Sequence, residues 1–269
     1  MIPSYAALLS AYHAAFSKEL QAMLESLPIC SGDHVLDAGC GDGDYSLWLA
    51  PLVAPQGQIV GIDSSADYLR MARRKSNNTT HWKRIRFEKA DIEHLPFPND
   101  VFDLVWCAQS LYSFNDASRA LTEMARVTRR GGCVAILEDD TLHQILLPWP
   151  AAAELALRTA EWKAFKREKP DPDRFYVGRN LRYLMLEAGL QPQRRRTHVL
   201  HREYPVEAQA MRYLDCYFQT LRERVVSHLS RSDRRKWLPL ITLGNSAYLP
   251  KQPHFSATCL DHTLWGRKP

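Results

Sequence analysis

The 269-residue sequence has no uninterrupted apolar run of about 18 residues, the length that a membrane-spanning helix requires. Its six cysteines include no CxxC pair, so neither a zinc site nor a disulfide framework is indicated, and this usage is typical of a reducing compartment. The first 20 residues lack the basic start and clean apolar core of a signal peptide and have the pattern of an amphipathic helix. We therefore expect a cytoplasmic protein without a membrane span.

Charge is divided unevenly along the chain. The whole sequence carries a net charge of +5, whereas residues 191–269 contain 14 Lys and Arg against 6 Asp and Glu, a balance of +8. The preceding 190 residues therefore carry 5 − 8 = −3. A basic segment is compatible with a nucleic-acid partner, but solvated helix faces produce the same balance, and we favour the second interpretation.

Strand-like and helical patterns alternate through the first half of the chain. Five strand-like segments are separated by helical or loop segments, at residues 34–38, 58–63, 85–88, 102–107 and 133–138. This alternation predicts an α/β fold with a mostly parallel, doubly wound sheet. The second half is richer in helical patterns, with two further strand-like segments at residues 195–204 and 255–268.

The sequence VLDAGCGDG at residues 35–43 places three glycines within five positions directly after a strand. Glycine adopts positive φ and has no side chain, so such a loop can turn sharply and contact a ligand with main-chain N–H groups. The following helix, from about Tyr45 to Ala50, directs its positive dipole end at the same place. The stretch predicts a nucleotide-like ligand at a strand-to-helix turn.

Two further acidic residues follow the next two strands. Asp63 ends the second strand, where a carboxylate can accept hydrogen bonds from both hydroxyls of a ribose. Asp91 and Ile92 follow the third strand, where a short acid can bind the amino group of an adenine beside an apolar residue. Because open α/β sheets bind ligands at the carboxyl ends of their strands, the ordered set is more informative than any one member.

A dinucleotide-dependent oxidoreductase is the competing interpretation of the glycine turn. Its fingerprint, GxGxxG, requires a third glycine where this chain has Asp44. A carboxylate at that place crowds the contact between helix and strand and repels a pyrophosphate. The spacing therefore disfavours a dinucleotide.

Four segments, VLDAGCGDG, GIDSS, ADIEHLPFPNDVFDLVWC and EMARVTRRGG, resemble the class I S-adenosylmethionine-dependent methyltransferases. The resemblance is strongest to the group that includes the ubiquinone and menaquinone biosynthesis C-methyltransferases, and it covers about residues 30–139. It implies a Rossmann-like sheet of seven strands with an antiparallel last strand, and S-adenosylmethionine lying across the strand tips. We interpret residues 1–269 as one methyltransferase domain with three parts: an N-terminal lid helix at 1–29, a cofactor-binding core at 30–139, and helical substrate-cap additions at 140–180 and 205–255.

The resemblance also implies which residues hold the cofactor. Asp37, Gly39 and Gly41 are expected to line its methionine and ribose parts. The ribose hydroxyls are assigned to Asp63 beside Ser64, the adenine to Asp91 and Ile92, the sulfonium end to Cys107, and closure over the cofactor to Tyr12 of the N-terminal helix. Gln109 stands where many relatives have His, which leaves no obvious acid or base at that position.

The acceptor of the methyl group is predicted to be a small molecule. Enzymes that methylate amino groups of nucleic acids place an Asn/Asp-Pro-Pro-aromatic turn after the fourth strand, where this chain has Trp-Cys-Ala-Gln at residues 106–109. Two alternatives stay open: an RNA-modifying methyltransferase, and a non-catalytic module that binds S-adenosylmethionine. No residue spacing indicates a metal site, and the oligomeric state is not determined by the sequence.

Methyl transfer from a sulfonium requires alignment and exclusion of water more than a dedicated base. Candidate catalytic residues near the strand tips are Tyr112, Asp139 and His143. We expect a lidded acceptor pocket bordered by Tyr12, Tyr112, Asp139, His143 and Tyr176, with Tyr5, His13, Arg174 and Arg179 as further candidates.

Overall fold

The structure is a computed structural model that describes residues 6–140, 143–168 and 175–269. It contains one mixed β-sheet whose strands are β1 (His34–Ala38), β2 (Gln58–Asp63), β3 (Ile85–Lys89), β4 (Phe102–Ala108), β5 (Thr128–Asp139), β6 (Ile145–Leu146), β7 (Gln191–Pro192), β8 (Arg196–Glu203) and β9 (Ser256–Arg267). The helices are α1 (Ala6–Glu25), α2 (Asp44–Leu49), α3 (Ala66–Ser76), α4 (Ala117–Val127), α5 (Ala151–Glu168), α6 (Val177–Glu187), α7 (Ala208–Val225) and α8 (Arg231–Ile241). In this described part of the chain, no helix is long and apolar enough to span a membrane.

The main strand order is β3-β2-β1-β4-β5-β9, and β1 to β5 pair in parallel. Strand β9 is antiparallel to β5 on one edge and to β8 on the other, since Asp261 is paired with both Asp139 and His198. The predicted α/β class and the antiparallel last strand are confirmed. The predicted count of seven strands is corrected to nine, because the two-residue strands β6 and β7 also pair with β9.

Helices cover both faces of the sheet. Strand β4 shows the division, since Leu104 and Trp106 belong to one apolar cluster and Val105 and Cys107 to the other. The first cluster contains buried residues of α1, α2, α3, α5, α7 and α8, and the second contains those of α4 and α6. Because both faces are covered, the central strands are nearly continuous apolar runs, as in other parallel sheets.

The N-terminal helix α1 packs against α7 beside the carboxyl ends of the strands. The ring of Tyr213 on α7 lies 5.4 Å from the ring of Tyr12 and 5.6 Å from that of Phe16. Helices α5, α7 and α8, which belong to the two predicted helical additions, join the same apolar cluster. The division of the chain into lid, core and substrate cap stays a prediction.

The glycine turn supplies a test of local packing. Gly41 and Gly43 have φ values of 53° and 88°, a left-handed conformation that costs an alanine roughly 1–2 kcal/mol. A Cβ on Gly43 lies 2.9 Å from the Cβ of Ala72, whereas a Cβ on Gly41 meets no atom within 4 Å. Overpacking adds about 1–3 kcal/mol. We therefore expect Gly43→Ala to lower the free energy of unfolding by about 2–5 kcal/mol and Gly41→Ala by about 1–2 kcal/mol in urea titrations without ligand. Equal losses in the two variants contradict the packing argument.

Candidate functional site

The glycine turn and the end of β2 are joined by the carboxylate of Asp63. Its two oxygens accept hydrogen bonds from the backbone N–H groups of Gly41 at 3.0 Å and Ser65 at 2.7 Å. Burial raises the pKa of this carboxyl, and the two N–H donors oppose that rise. Each carboxylate oxygen has two lone pairs, so Asp63 is held in place and keeps acceptor capacity for a ligand.

A cavity of about 600 Å³ lies over the carboxyl ends of β1, β2 and β4. We call it the strand-tip cavity. Six of the predicted cofactor residues line it: Gly39, Gly41, Asp63, Ser64, Asp91 and Ile92. Ile92 is buried at its wall, whereas Asp91 is exposed and accepts a hydrogen bond from the N–H of Glu93 at 3.0 Å.

Three predicted cofactor residues do not line the strand-tip cavity. Asp37 is buried beneath the turn, where the hydroxyl of Ser46 donates to it at 2.5 Å and burial raises the pKa of its carboxyl to about 7. Cys107 is fully buried, and burial raises the pKa of its thiol well above the usual value, so it packs as a small apolar residue. Tyr12 lines a second, adjoining cavity.

Helix α1 contributes His13 to the strand-tip cavity. The ring of His13 is buried, and its Nδ1 lies 3.0 Å from the carboxylate of Asp44. Its Nε2 has no hydrogen-bond partner among the described residues. His13, Asp42 and Asp44 are close enough together to ligate a cation, but the ammonium of Lys75 lies 2.7 Å from Asp42 and 2.5 Å from Asp44. The cluster is therefore an ion-pair network that links α1, α2 and α3.

The second cavity, of about 330 Å³, is lined by aromatic rings, two neighbouring carboxylates and one guanidinium, and we call it the aromatic cavity. Its main lining residues are Tyr12, Tyr112, Asp139, Phe165, Phe175, Tyr213, Tyr217, Arg224 and Asp261. Leu9, Gln109, Tyr112 and Ser113 line both cavities, so the two adjoin at one shared wall.

The predicted acceptor pocket agrees with the aromatic cavity in part. Tyr12, Tyr112 and Asp139 line it, but His143 and Tyr176 do not. His143 is exposed, because its Nδ1 lies 3.3 Å from the carboxylate of Asp140 and 3.4 Å from the guanidinium of Arg179 at the surface. The guanidinium of Arg179 lies 4.2 Å from the ring centroid of Tyr176, outside the cavity. Tyr5 and Arg174 lie outside the described residues.

A pair of carboxylates stands at the strand end of the aromatic cavity. Asp139 ends β5 and is the direct cross-strand neighbour of Asp261 in β9. The hydroxyl of Tyr12 donates a hydrogen bond to Asp261, whereas Asp139 accepts none from the described part of the chain. Burial, followed by repulsion from Asp261, raises the pKa of Asp139 to about 7. Burial raises the pKa of Asp261 to about 6, against the opposing effect of the Tyr12 hydrogen bond.

The shared wall is stabilised by Glu138, a buried acid that the sequence, together with Asp139 and Asp140, offered as a candidate for the acceptor pocket. The carboxylate of Glu138 accepts hydrogen bonds from the N–H groups of Ser110 at 3.1 Å and Leu111 at 2.7 Å. These bonds fix the turn that carries Gln109, whose φ of 48° is a strained value for a residue other than glycine. The Oε1 atom of Gln109 is buried without a hydrogen-bond partner in the described ranges. A polar group is thus fixed between the two cavities.

Asp261, Phe165, Phe175, Tyr213, Tyr217 and Arg224 are cavity residues that the sequence prediction missed. One signal was available for Asp261, because alternation in the final strand places this acid in the same inward-facing row as Cys259 and Thr263. Phe175 shortly precedes α6, and the others come from α5 and α7, where no local pattern distinguishes a cavity wall from ordinary core.

The raised pKa of Asp139 predicts a pH-dependent gain in stability when its charge is removed. Because the folded state binds more protons than the unfolded state between about pH 4 and pH 7, the free energy of unfolding falls as the pH rises through this window. We expect Asp139→Asn to be more stable than the parent protein at pH 8 by about 2 kcal/mol, after allowance for solvent at the cavity wall, and equal to it near pH 4.

Chemical denaturation at the two pH values measures this effect. Asp140→Asn is the matched control, because Asp140 forms an ion pair with Arg179 at 2.5 Å, whose loss opposes the relief of its repulsion with Asp139, so we expect a much smaller gain. A loss of stability at pH 8 in Asp139→Asn contradicts the assignment.

Comparison with known proteins shows what the cofactor-side half of the chain is similar to. Residues 35–132 match the protein family described as a methyltransferase domain. The demethylmenaquinone methyltransferase of Lactiplantibacillus plantarum is 33% identical over 135 residues, which are 50% of this chain and 56% of that protein. The ubiquinone/menaquinone biosynthesis C-methyltransferase UbiE of Coxiella burnetii is 37% identical over 108 residues, 40% of this chain and 43% of that protein. The chain thus spans about half the length of the curated relatives it matches.

Solved structures agree on the fold. The YcgJ protein of Bacillus subtilis has a TM-score of 0.58 at 19% identity, covering 94% of this chain and 98% of that one. The [4+2]-cyclase SpnF has a TM-score of 0.57 at 20% identity, covering 94% and 82%. Since a chain of this fold is named a cyclase, the fold alone does not determine a reaction.

Residues 35–132 are thus similar to the methyltransferase-domain family, and up to half of the chain is similar to relatives named as demethylmenaquinone and ubiquinone/menaquinone C-methyltransferases. The solved structures show that the fold around this segment is the Rossmann-like fold of such proteins.

Proposed function

We propose that the protein transfers a methyl group from S-adenosylmethionine to a small molecule bound in the aromatic cavity. The observation that supports this most directly is the shared wall: two separate cavities adjoin at Gln109 and Tyr112, so a donor in one and an acceptor in the other meet there. The relatives named as quinone methyltransferases support a small-molecule acceptor.

Three observations support the fit of the strand-tip cavity to the cofactor. Asp63 is oriented by two N–H donors and keeps lone pairs for the ribose hydroxyls. With Nδ1–H of His13 donating to Asp44, its unpartnered Nε2 is an acceptor for the ammonium group of the methionine part. The exposed Asp91 and the buried Ile92 suit the amino group and the ring of the adenine. When bound, S-adenosylmethionine supplies an electrophilic methyl group on a sulfonium.

At the other side of the shared wall, Asp139 is proposed to take the proton of the acceptor. It accepts no hydrogen bond from the described residues, and a pKa near neutrality suits a general base. Tyr12 holds Asp261 in place beside it. The aromatic rings exclude water, which keeps nucleophile and methyl group aligned and stops hydrolysis. Helix α1, which lies over both cavities through Leu9, is proposed to act as the lid.

Nucleic acid is not favoured as the acceptor. Of the three consecutive arginines at 194–196, Arg195 donates to the carbonyl of Gly178 and Arg196 to that of Ser26. Two of the three guanidinium groups thus have structural partners. Mobility-shift assays with RNA and duplex DNA are expected to show weak, salt-sensitive and sequence-indifferent association.

The function is tested by incubating the protein with methyl-labelled S-adenosylmethionine and a cell extract, and identifying the labelled product. A labelled small molecule supports the proposal, and label in RNA overturns the choice of acceptor. Calorimetric titration with S-adenosylhomocysteine and with a nicotinamide dinucleotide tests the cofactor separately. Tighter binding of the dinucleotide refutes the assignment of the strand-tip cavity.

A further inference from the structure

One face of helix α7 forms a long wall of the aromatic cavity. Tyr213, Tyr217, Thr220, Leu221 and Arg224 line the cavity, and their spacing places them on one side of the helix. Tyr213 marks the end near the carboxylate pair, because its hydroxyl lies 3.5 Å from the sulfur of Cys259, two residues before Asp261. Arg224 follows 11 residues later, about 16 Å along the helix axis. Since helical side chains tilt towards the N-terminus of the helix, we expect the guanidinium of Arg224 to lie closer to the carboxylates than this spacing along the helix axis.

The other wall is a row of aromatic rings that runs from the shared wall with the strand-tip cavity to the guanidinium of Arg224. Tyr112, at the shared wall with the strand-tip cavity, lies 6.3 Å from the ring of Phe175. Phe175 is stacked on Phe165 at 4.1 Å, and the guanidinium carbon of Arg224 lies 4.8 Å from the ring centroid of Phe165. The space between the carboxylates and the guanidinium is therefore bounded by flat apolar surfaces.

The charge of Arg224 is not neutralised by an ion pair within the described ranges. The nearby carboxylate of Glu161 is buried and is itself bonded to the guanidinium of Arg158 at 2.9 Å. Arg224 is half-buried at the cavity wall, whereas Arg222 on the same helix is exposed and does not line the cavity. A guanidinium in this setting has donors for a carboxylate and a charge that favours an anion.

From these contacts we infer that the acceptor is a small aromatic acid: its anionic group binds Arg224, its ring lies between the aromatic walls, and its hydroxyl or amino group reaches Asp139. This inference rests on the proposed function, because it names the class of molecule that occupies the aromatic cavity. A cavity of about 330 Å³ is at the small end of ligand pockets, which limits the enclosed part of the acceptor to a compact molecule.

The test uses three probes in calorimetric titrations at pH 8, with S-adenosylhomocysteine present. The probes are 4-hydroxycinnamate, its neutral methyl ester, and cinnamate, which lacks the hydroxyl. We expect the parent protein to bind 4-hydroxycinnamate at least tenfold more tightly than the ester, because only the acid pairs with the guanidinium. This preference for the acid over the ester is expected to vanish in Arg224→Gln and to be partly retained in Arg224→Lys. It should persist in the matched control Arg222→Gln.

The hydroxyl end is tested by the third probe. Cinnamate is expected to bind several-fold more weakly than 4-hydroxycinnamate to the parent protein, and this difference should shrink in Asp139→Asn. Equal binding of acid and ester, an equal effect of Arg222→Gln and Arg224→Gln, or no binding of the acid at millimolar concentration overturns the inference. The titration with S-adenosylhomocysteine alone reports on the cofactor assignment, so its failure is separate from a failure of the probes. Thermal unfolding of each variant shows that it is folded.

Discussion

Replacement of Asp139 by asparagine is expected to lower kcat on the acceptor identified by labelling by about 10²–10⁴-fold, the range that general bases contribute. Asparagine has nearly the same shape as aspartate but cannot accept a proton. The effect should fall on kcat, while the affinity for S-adenosylhomocysteine changes less than twofold, because Asp139 lines only the aromatic cavity.

The pH profile distinguishes a base from a residue that only shapes the cavity. The pKa values of Asp139 and Asp261 are raised to about 7 and about 6, so kcat of the parent protein should rise with pH through this range and level off above it. The two carboxyls are neighbours, so the apparent pKa belongs to the pair. Asp139→Asn should lose this dependence. Asp140→Asn, the control, should stay within about threefold of the parent. An Asp139→Asn protein with more than half of the parental kcat rules out the role.

The second large effect is expected on cofactor affinity. Asp63→Ala should weaken the binding of S-adenosylhomocysteine by about 1.5–3 kcal/mol, or roughly 10–150-fold, the contribution of hydrogen bonds to a charged group. Part of this loss arises because the carboxylate also orders the N–H groups of Gly41 and Ser65. Asp63→Asn, whose amide oxygen can still accept one of these bonds, should lose less affinity than Asp63→Ala.

Asp67→Ala serves as the control for the loss of a nearby negative charge. Asp67 lies in the first turn of α3, pairs with Arg70 and does not line the strand-tip cavity. Calorimetry should find its affinity for S-adenosylhomocysteine within twofold of the parent. If Asp67→Ala weakens binding as much as Asp63→Ala, the loss of affinity arises from the removal of a negative charge near the cavity, and the assigned contact between Asp63 and the ribose is incorrect.

The amino-acid sequence by itself determined the sheet core and which residues meet at the strand tips. Strands β1 and β2 begin and end at the residues that the pattern predicted, because buried parallel strands are continuous apolar runs bounded by turns. Gly41 and Asp63 lie on one cavity wall for a topological reason: parallel neighbouring strands carry the residues after their carboxyl ends to the same edge. The resemblance to methyltransferases, and the S-adenosylmethionine that it implies, rest on this same contiguous region.

Only the tertiary structure decided which residues form the aromatic cavity. Tyr12 and Asp261 are 249 positions apart, and they meet because the antiparallel strand β9 inserts between β5 and β8 and brings its middle against the end of β5. His143 was expected in the same cavity from its position four residues after Asp139, yet its side chain is exposed and does not line the cavity. Closeness in sequence fixes a side chain's location only within a regular element. Outside such an element, burial and the pairing of distant segments decide where a side chain lies, as they do for Arg224.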